Sequence, residues 1–304
     1  MSAPTVERTG VDGPGVYDLP ADVYHADPVP GGSLSSTGAR KLLQTCPAIF
    51  DWERRNPTPY KKVFEFGGAA HKVVLGTGPE LVVIEGTGKA GPEVWAKDDD
   101  KAAVAAVRRA GGIPLKPSEY AQVQAMAKAL REHPVAAALL RPEGGTPEQS
   151  LIWSDGTTGV SCRAMLDWLP ESARGRMIVA DYKTSLSANP EDFRRSVHSY
   201  GYHQQADHYL DGVRALGLDP DPAFVFVVQM KTAPYLVSLV TLDDRALQIG
   251  AERNRRAREI YARCTATGRW PGWTDGEVAE ISLPVWAERQ HDFDSIPDFA
   301  EEPV

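Results

Sequence analysis

Two acidic residues and a lysine near the middle of the chain have types and a spacing that suit catalysis. Asp181 and Lys183 lie two positions apart at the end of the apolar run 177–180. Because the side chains of a β-strand alternate between its two faces, these residues project from the same side. Asp167 follows the apolar residues 164–166 on the preceding predicted strand, so it comes alongside Asp181 if the two strands pair.

This arrangement fits metal-assisted hydrolysis of a phosphodiester. Mg²⁺ prefers a few carboxylates together with water and substrate phosphate, and a bound metal makes water more acidic. We therefore predict that Asp167 and Asp181 are metal ligands and that Lys183 orients the attacking water or stabilises transition-state charge. Glu148, at the start of the strand before Asp167, is a weaker candidate ligand. An Asp-x-Lys pattern alone is also common on exposed strand edges.

The elements that must position these residues are predicted from hydrophobic periodicity and turn residues. Alternating apolar residues predict strands, and a period near 3.6 predicts helices. The predicted strands cover 81–84, 148–153, 159–169, 176–183, 223–230 and 235–241; the predicted helices cover 37–53, 64–75, 97–110, 117–140, 189–216 (one helix or a broken pair) and 242–267. This order predicts the α/β class, with a central mixed β-sheet flanked by helices.

The same pattern predicts the domain organisation. Residues 1–33 are rich in Gly, Pro and Asp and predict an irregular N-terminal arm. A single domain follows over 34–270, with a helical part over 34–145 and a catalytic α/β core over 146–270. Residues 271–304 include Pro271, Pro284, Pro297 and Pro303, which predict an extended C-terminal tail.

Composition excludes several classes of protein. Apolar residues make up 42% and charged residues 24% of the chain, as in ordinary globular proteins. We find no stretch that suits a transmembrane helix and no apolar N-terminal signal, so we expect a cytoplasmic protein without a membrane partner. The cysteines, Cys46, Cys162 and Cys264, are few and scattered, which argues against a disulfide framework and against a clustered zinc or iron–sulfur site.

The net charge of −8 stands against nucleic-acid binding, because proteins that bind phosphate backbones usually carry a basic surface. Local distribution matters more than the sum, however. Positive charge is concentrated in a stretch that contains Arg253, Arg255, Arg256, Arg258 and Arg263. Arg253 and Arg256, together with Tyr209, are candidate DNA contacts, although such a run is usually a solvated helix face.

Taken together, several segments resemble the PD-(D/E)xK nuclease superfamily and, within it, the RecB-like branch with its phage and prophage exonucleases of the exodeoxyribonuclease VIII type. The matching motifs lie in order: Leu-Ser-Ser to Cys-Pro over 34–47, Gly-Gly-Ala-Ala-His ending at His71, Met-Leu-Asp ending at Asp167, Asp-Tyr-Lys-Thr over 181–184, and the Tyr-x-x-Gln…Tyr helix over 202–209. Residues 268–273 resemble a tail of the same relatives. One departure is Leu166, where the superfamily name implies proline, and it leaves the ligands untouched.

The resemblance implies a restriction-endonuclease-like core and a metal-dependent exonuclease that acts on double-stranded DNA ends in phage or prophage recombination. It implies metal binding by His71, Asp167, Asp181 and the backbone carbonyl of Tyr182, with Mg²⁺ as the ion and Mn²⁺ as a substitute. Gln205, or Gln204 if the pattern is counted differently, would hold the water or a phosphate oxygen. The relatives further imply a single-strand annealing protein as partner. Ring-shaped homo-oligomers occur among these relatives, and the sequence leaves open whether this chain forms one.

The alternative is a catalytically silent DNA-binding or structural protein that keeps the same fold. The presence of every expected residue favours the enzyme. Mutation of Lys183 separates the two, because an enzyme loses cleavage and keeps DNA binding, whereas a binder shows no cleavage in the parent protein.

Overall fold

The structure, a computed structural model, describes residues 11–56, 65–171 and 175–294. Within these ranges, seven strands form one sheet and two short strands form a separate parallel pair. The strands are β1 (Gly15–Tyr17), β2 (Leu34–Ser35), β3 (Leu81–Val83), β4 (Ile113–Leu115), β5 (Gly145–Ser154), β6 (Ser161–Pro170), β7 (Ile178–Ser185), β8 (Ala223–Met230) and β9 (Val237–Val240).

The large sheet is mixed, as predicted. Its order is β1-β5-β6-β7-β8-β9, and β2 lies parallel to β6. Strand β6 is antiparallel to both β5 and β7. Strand β8 is parallel to β7, and β9 is antiparallel to β8. Strand β7, which carries Asp181 and Lys183, is therefore an interior strand with a neighbour on each side.

Helices cover both faces of this sheet. They are α1 (Ala21–His25), α2 (Ser36–Gln44), α3 (Pro47–Arg55), α4 (Glu65–Leu75), α5 (Asp98–Arg109), α6 (Pro117–Glu132), α7 (Pro134–Leu139), α8 (Pro190–Tyr200), α9 (Tyr202–Ala215), α10 (Asp244–Thr267) and α11 (Val285–Asp294). No helix within the described ranges is long and apolar enough to cross a membrane.

Three predicted helices are each divided in two. Pro47 begins α3 and Pro134 begins α7. The predictions of one continuous helix over 37–53 and one over 117–140 are therefore wrong. Proline has no N–H donor and disfavours helical geometry in the residue before it. Gly201, with a φ of +66°, separates α8 from α9, which is the broken-pair form of the helix predicted over 189–216.

Two apolar cores lie on opposite faces of the sheet. The first is packed by α2, α9 and α10 and contains Val179 and Phe226. The second is packed by α4 and α6 and contains Ala180 and Tyr182. Successive residues of β7 therefore enter different cores, which explains why residues 177–180 are continuously apolar.

The N-terminal arm is more regular than predicted. Within residues 11–33, β1 pairs antiparallel with β5 and α1 follows it. Strand β2 then pairs with β6 through Leu34 and Cys162. These elements are too short to show a periodic signal, and they are stabilised by partners that are distant in the sequence.

The C-terminal tail also departs from the extended form that was predicted. Helix α11 begins directly after Pro284, whose carbonyl accepts hydrogen bonds from the backbone N–H groups of Ala287 and Glu288. Proline is favourable at the start of a helix, where its missing N–H has no intrahelical partner in any case. Residues 1–10, Phe64, Pro297 and Pro303, on which parts of the predictions depend, lie outside the described ranges.

Candidate active site

The two predicted acidic ligands face each other across neighbouring strands. Trp168 of β6 is opposite Ala180 of β7 in an antiparallel register, which puts Asp167 opposite Asp181. The backbone N–H of Tyr182 donates a hydrogen bond to Asp167 Oδ2 at 2.7 Å. Pairing of β6 and β7 therefore places the two carboxylates at the same level on adjacent strands.

Strand β6 changes its orientation at Asp167. Leu166 packs in the first core and Trp168 in the second, although strict alternation would place both on one face. The ladder between β5 and β6 is interrupted at the same level. Pro147 pairs with Trp168 and Gln149 with Leu166, but Glu148, which lies between them with a φ of +50°, has no ladder partner. This local twist directs Asp167 toward β7 and α4.

Glu148 lies at the edge of the same site. Burial raises the pKa of its carboxyl group, and the nearby charge of Asp167 raises it further. The structure thus brings Glu148 close enough to Asp167 for the two carboxylates to repel each other.

Asp181 is buried and incompletely compensated. Its Oδ2 forms an ion pair with Lys183 Nζ at 2.5 Å. Its Oδ1 accepts a hydrogen bond from Gln205 Nε2 at 2.7 Å. Burial raises the pKa of Asp181 to about 6, and the opposing effect of Lys183 does not cancel it. With Asp167 beside it, Lys183 faces two carboxylates, so the site has an excess of negative charge that a divalent cation can neutralise.

Lys183 is held in its charged form. Burial alone would lower its pKa, but the charges of Asp181 and Asp167 outweigh that effect and raise it. Its Nζ also lies 5.2 Å from the centre of the Tyr202 ring, within the range of a cation–π contact. A permanently protonated amine donates hydrogen bonds and stabilises negative charge, but it does not accept a proton.

His71 reaches the site from α4. Its Nδ1 lies 3.8 Å from Asp167 Oδ2, its ring contacts the Tyr182 ring edge-on with centroids 5.1 Å apart, and it hydrogen-bonds to the backbone of Tyr182. Burial, followed by the charge of Lys183, lowers the pKa of His71 to about 4. The imidazole is therefore neutral at neutral pH, which is the state that binds metal ions.

The two glutamines that the sequence left as alternatives occupy opposite sides of α9. Gln205 contacts Asp181 as described, whereas Gln204 is buried against α10. Gln204 Nε2 donates to Asn254 Oδ1 at 3.2 Å, and Gln204 Oε1 accepts from Arg253 Nε at 2.9 Å. Tyr209, one turn after Gln205, has a hydrogen bond with the Gln205 side chain. The structure thus brings Gln205 and Tyr209 to the site and holds Gln204 away from it.

The donor set suits a hard divalent cation. Asp167 and Asp181 offer buried carboxylate oxygens, and His71 adds the nitrogen of a neutral imidazole 3.8 Å from Asp167 Oδ2. Among the described residues, no group of three His, Cys, Asp or Glu side chains is already arranged to hold an ion. Mg²⁺ needs only one or two protein carboxylates, with water and substrate phosphate completing its coordination, so the residues fit.

The arginine-rich stretch of α10 does not form a single basic surface. Arg258 is buried and pairs through Nε with Asp155 and through Nη1 with Asp211, both at 3.1 Å. Arg255 pairs with Glu259 on the exposed side at 2.5 Å. Arg256 is exposed, and Arg253 is half-buried beside Gln204. Successive positions on a helix are rotated by about 100°, so arginines that are close in the sequence lie on several sides of α10.

A cavity of about 230 Å³ opens beside Lys183. It is lined by Ser36, Thr37 and Arg40 of α2, by Tyr200, Gly201 and Tyr202 at the junction of α8 and α9, and by Lys183, Gln205 and Tyr209.

The sequence analysis assigned no role to Arg40, Tyr200 or Tyr202. Arg40 Nη1 donates to the backbone carbonyl of Tyr200 across 160 residues, a contact that leaves no local signal. Tyr202 does have one, because it begins the Tyr-x-x-Gln pattern.

Comparison with known proteins identifies a family and a fold. Residues 36–280 match the profile of a family described as a "PDDEXK-like domain of unknown function" (DUF3799). Among solved structures, the chain is similar to a crystal structure from Eubacterium rectale described as a "Putative exonuclease", with a TM-score of 0.57 and 12% identity over 90% of this chain and 98% of that chain. No curated protein matches. The predicted restriction-endonuclease-like α/β fold is thereby confirmed.

Proposed function

The chain belongs to the family of PDDEXK-like domains, and on this premise we propose that it is a divalent-metal-dependent deoxyribonuclease that hydrolyses phosphodiester bonds at the ends of double-stranded DNA. One observation carries the proposal: Asp167 and Asp181 are opposed on paired strands, with the ammonium of Lys183 beside Asp181 Oδ2. The description of the Eubacterium rectale protein as an exonuclease is in keeping with it.

Asp167, Asp181, His71 and the backbone carbonyl of Tyr182 would hold the metal, with Glu148 at the periphery. Mg²⁺ is the proposed ion and Mn²⁺ its substitute. When bound, the metal supplies an acidified water and offsets charge on the phosphate oxygens. The neutral state of His71 and the opposed carboxylates of Asp167 and Asp181 support this assignment, because all three side chains offer lone pairs to a cation.

The other side chains act on water and phosphate. Lys183 remains protonated, so it donates hydrogen bonds to a phosphate oxygen or to the attacking water and stabilises the developing negative charge. Gln205 donates a hydrogen bond from its amide N–H to Asp181 and lines the cavity beside Lys183. Tyr209 in turn contacts the Gln205 side chain, which limits the directions that the amide can take.

The cationic groups at the cavity compensate locally for the net charge of −8. Arg40 and Lys183 both line it, and the exposed Arg256, with Arg253, is the proposed contact to more distant phosphates. Action in phage or prophage recombination beside a single-strand annealing protein, in the cytoplasm and as a homo-oligomer, completes the proposal. These parts rest on the motif resemblance alone.

The test is cleavage of matched linear and closed-circular duplex DNA, with Mg²⁺ or with EDTA. We expect the parent protein to degrade linear DNA only, and only with metal. We expect Lys183→Ala to lower the rate by roughly 10²–10³-fold, because it removes one preorganised charge from the transition state. Lys128→Ala is the matched control, since Lys128 is exposed on α6.

Each other outcome has a definite meaning. Cutting of circular DNA would leave the chemistry intact but contradict the preference for ends. If a folded parent protein with bound metal cuts neither substrate, the catalytic assignment is wrong, and DNA binding without turnover then becomes the better description.

A further inference from the structure

A series of aromatic rings leads from the first core to the mouth of the cavity. Phe226 is buried in β8, and the Tyr202 ring lies 5.5 Å from it at an interplanar angle of 35°. Tyr202 is also stacked on Phe193 at 5.6 Å and 26°. Tyr200 follows at 5.6 Å and 32° from Tyr202. Each inner ring is covered by the next, whereas Tyr200, the last, is 56% exposed.

Contacts with α2 hold the backbone of Tyr200 in place. Tyr200 is the last residue of α8, and its carbonyl accepts a hydrogen bond from Arg40 of α2. Gly201 follows with a φ of +66°, and a Cβ there would lie 2.7 Å from Arg40 Cδ. Glycine therefore suits both the left-handed backbone and this close approach, which holds the backbone of Tyr200 beside α2.

The surroundings of this ring match the parts of a nucleotide. Arg40 and Lys183, on the cavity wall, suit phosphate oxygens. The exposed ring offers a flat apolar face, on which a nucleobase can stack with little dependence on its sequence. A base inside a duplex already has neighbours on both faces, whereas the base at a strand end is free to leave its pair.

We propose that Tyr200 is a specificity-determining residue that stacks on the terminal nucleobase of the strand being cut and so favours ends that fray. This inference rests on the proposed nuclease function. It assigns the aromatic face to the base and the cationic wall to the phosphate of the same terminal nucleotide.

The experiment compares linear duplexes that end in a normal or in an abasic nucleotide, with the parent protein, Tyr200→Leu and Tyr200→Phe. We expect Tyr200→Leu to weaken use of the normal end by about 10- to 100-fold in kcat/KM, the range of a stacking contact. On the abasic end, the parent protein and Tyr200→Leu should be equal. Tyr200→Phe should match the parent on both ends, because it keeps the ring. Trp52→Leu, which removes an exposed aromatic side chain from α3, is the control.

A binding readout separates stacking from a general effect on turnover. In a Lys183→Ala background, 2-aminopurine at the terminal position should lose fluorescence on binding, and Tyr200→Leu should abolish that loss. If the parent protein cleaves linear DNA but Tyr200→Leu affects normal and abasic ends equally, the stacking inference is wrong and the proposed function stands. If the parent protein cleaves no DNA, the proposed function fails and the inference fails with it.

Discussion

The molecule buries two clusters of opposite charges, and they differ in how well the charges are compensated. In the cluster of Arg258, Asp155 and Asp211, the arginine faces both carboxylates at 3.1 Å. Burial would raise the pKa of Asp155, but hydrogen bonds from Thr158 and the charge of Arg258 outweigh it, so the pKa is lowered. Around Asp181, by contrast, burial outweighs the charge of Lys183, and the pKa of Asp181 is raised to about 6.

Buried acidic and basic side chains therefore have different consequences in the two clusters. The Arg258 cluster joins the turn after β5 to α9 and α10, and Arg214 adds a second cation to it by pairing with Asp211 at 3.2 Å. The cluster of Asp167, Asp181 and Lys183 has two acids for one base, and burial makes that imbalance costly. A buried site that is left short of positive charge is suited to bind a cation.

The largest expected effect is the loss of cleavage in Asp181→Asn. Asparagine keeps the shape of the side chain but removes the charge that attracts the metal, so we expect at least about a 100-fold fall in the rate on linear DNA. The metal-free protein should at the same time unfold at a higher temperature, because a buried charge has been removed. A variant that loses activity and is also destabilised in EDTA would contradict the comparison.

The second cluster should respond in the opposite sense. We expect Arg258→Leu to lower the free energy of unfolding by about 3 kcal/mol, since it removes the cation between Asp155 and Asp211 and leaves Asp211 with Arg214 alone. Denaturant titration measures this directly. Arg255→Leu on the same helix removes only an exposed pair and should change stability by about 0.5 kcal/mol or less. Equal effects of the two substitutions would show that the buried pairs stabilise no more than the exposed one.

A third substitution links the two regions. Asn254 Nδ2 donates to the Gln204 carbonyl at 2.9 Å and to Asp207 Oδ2 at 2.8 Å, which fixes the first turn of α9. Asn254→Ala should cost about 1–3 kcal/mol of stability, because it leaves buried acceptors unpaired. Since Gln205 is on the same turn, kcat should fall while DNA affinity is kept. Asn56→Ala, at the exposed end of α3, serves as control, and an unchanged kcat would limit Asn254 to a structural role.

The last expected effect is a pH dependence of stability in EDTA. Asp181 binds its proton more tightly in the folded chain than in the unfolded one, because its pKa is raised from 3.8 to about 6. Its contribution therefore favours folding at low pH and is lost as pH rises from about 4 to 6, by about 1.4 kcal/mol per unit of raised pKa. Comparing unfolding curves of the parent protein and Asp181→Asn isolates this slope. An identical slope in both would contradict the raised pKa.

The sequence predicts the sheet and the placement of the acids well, because both follow from alternation along strands. Asp167, Asp181 and Lys183 come together as expected, and His71, to which the resemblance points, lies beside Asp167. The choice between Gln204 and Gln205 lies beyond sequence periodicity alone, since one residue on a helix rotates the side chain by about 100°. In the structure Gln205 bonds to Asp181, while Gln204 pairs with Asn254.

Other features depend on contacts between distant segments. Arg258 belongs to a basic stretch in the sequence, yet Asp155 and Asp211 draw it into the interior. The short strands β1 and β2 exist only by pairing with β5 and β6. The cavity wall is assembled in the same way, and this is why the sequence analysis did not single out Arg40 and Tyr200.

The strand β2 has a consequence for biosynthesis. Ser35 both ends this strand and caps α2 through Gly38, while Ser33 binds Arg163, which is 130 residues further along the chain. At about 5–20 residues per second, a ribosome needs roughly 6–26 s to make that intervening segment. The N-terminal wall of the cavity is thus synthesised first and docked late. A nascent chain has no complete cleft until most of it has been translated, so DNA-degrading activity is expected only after translation is nearly complete.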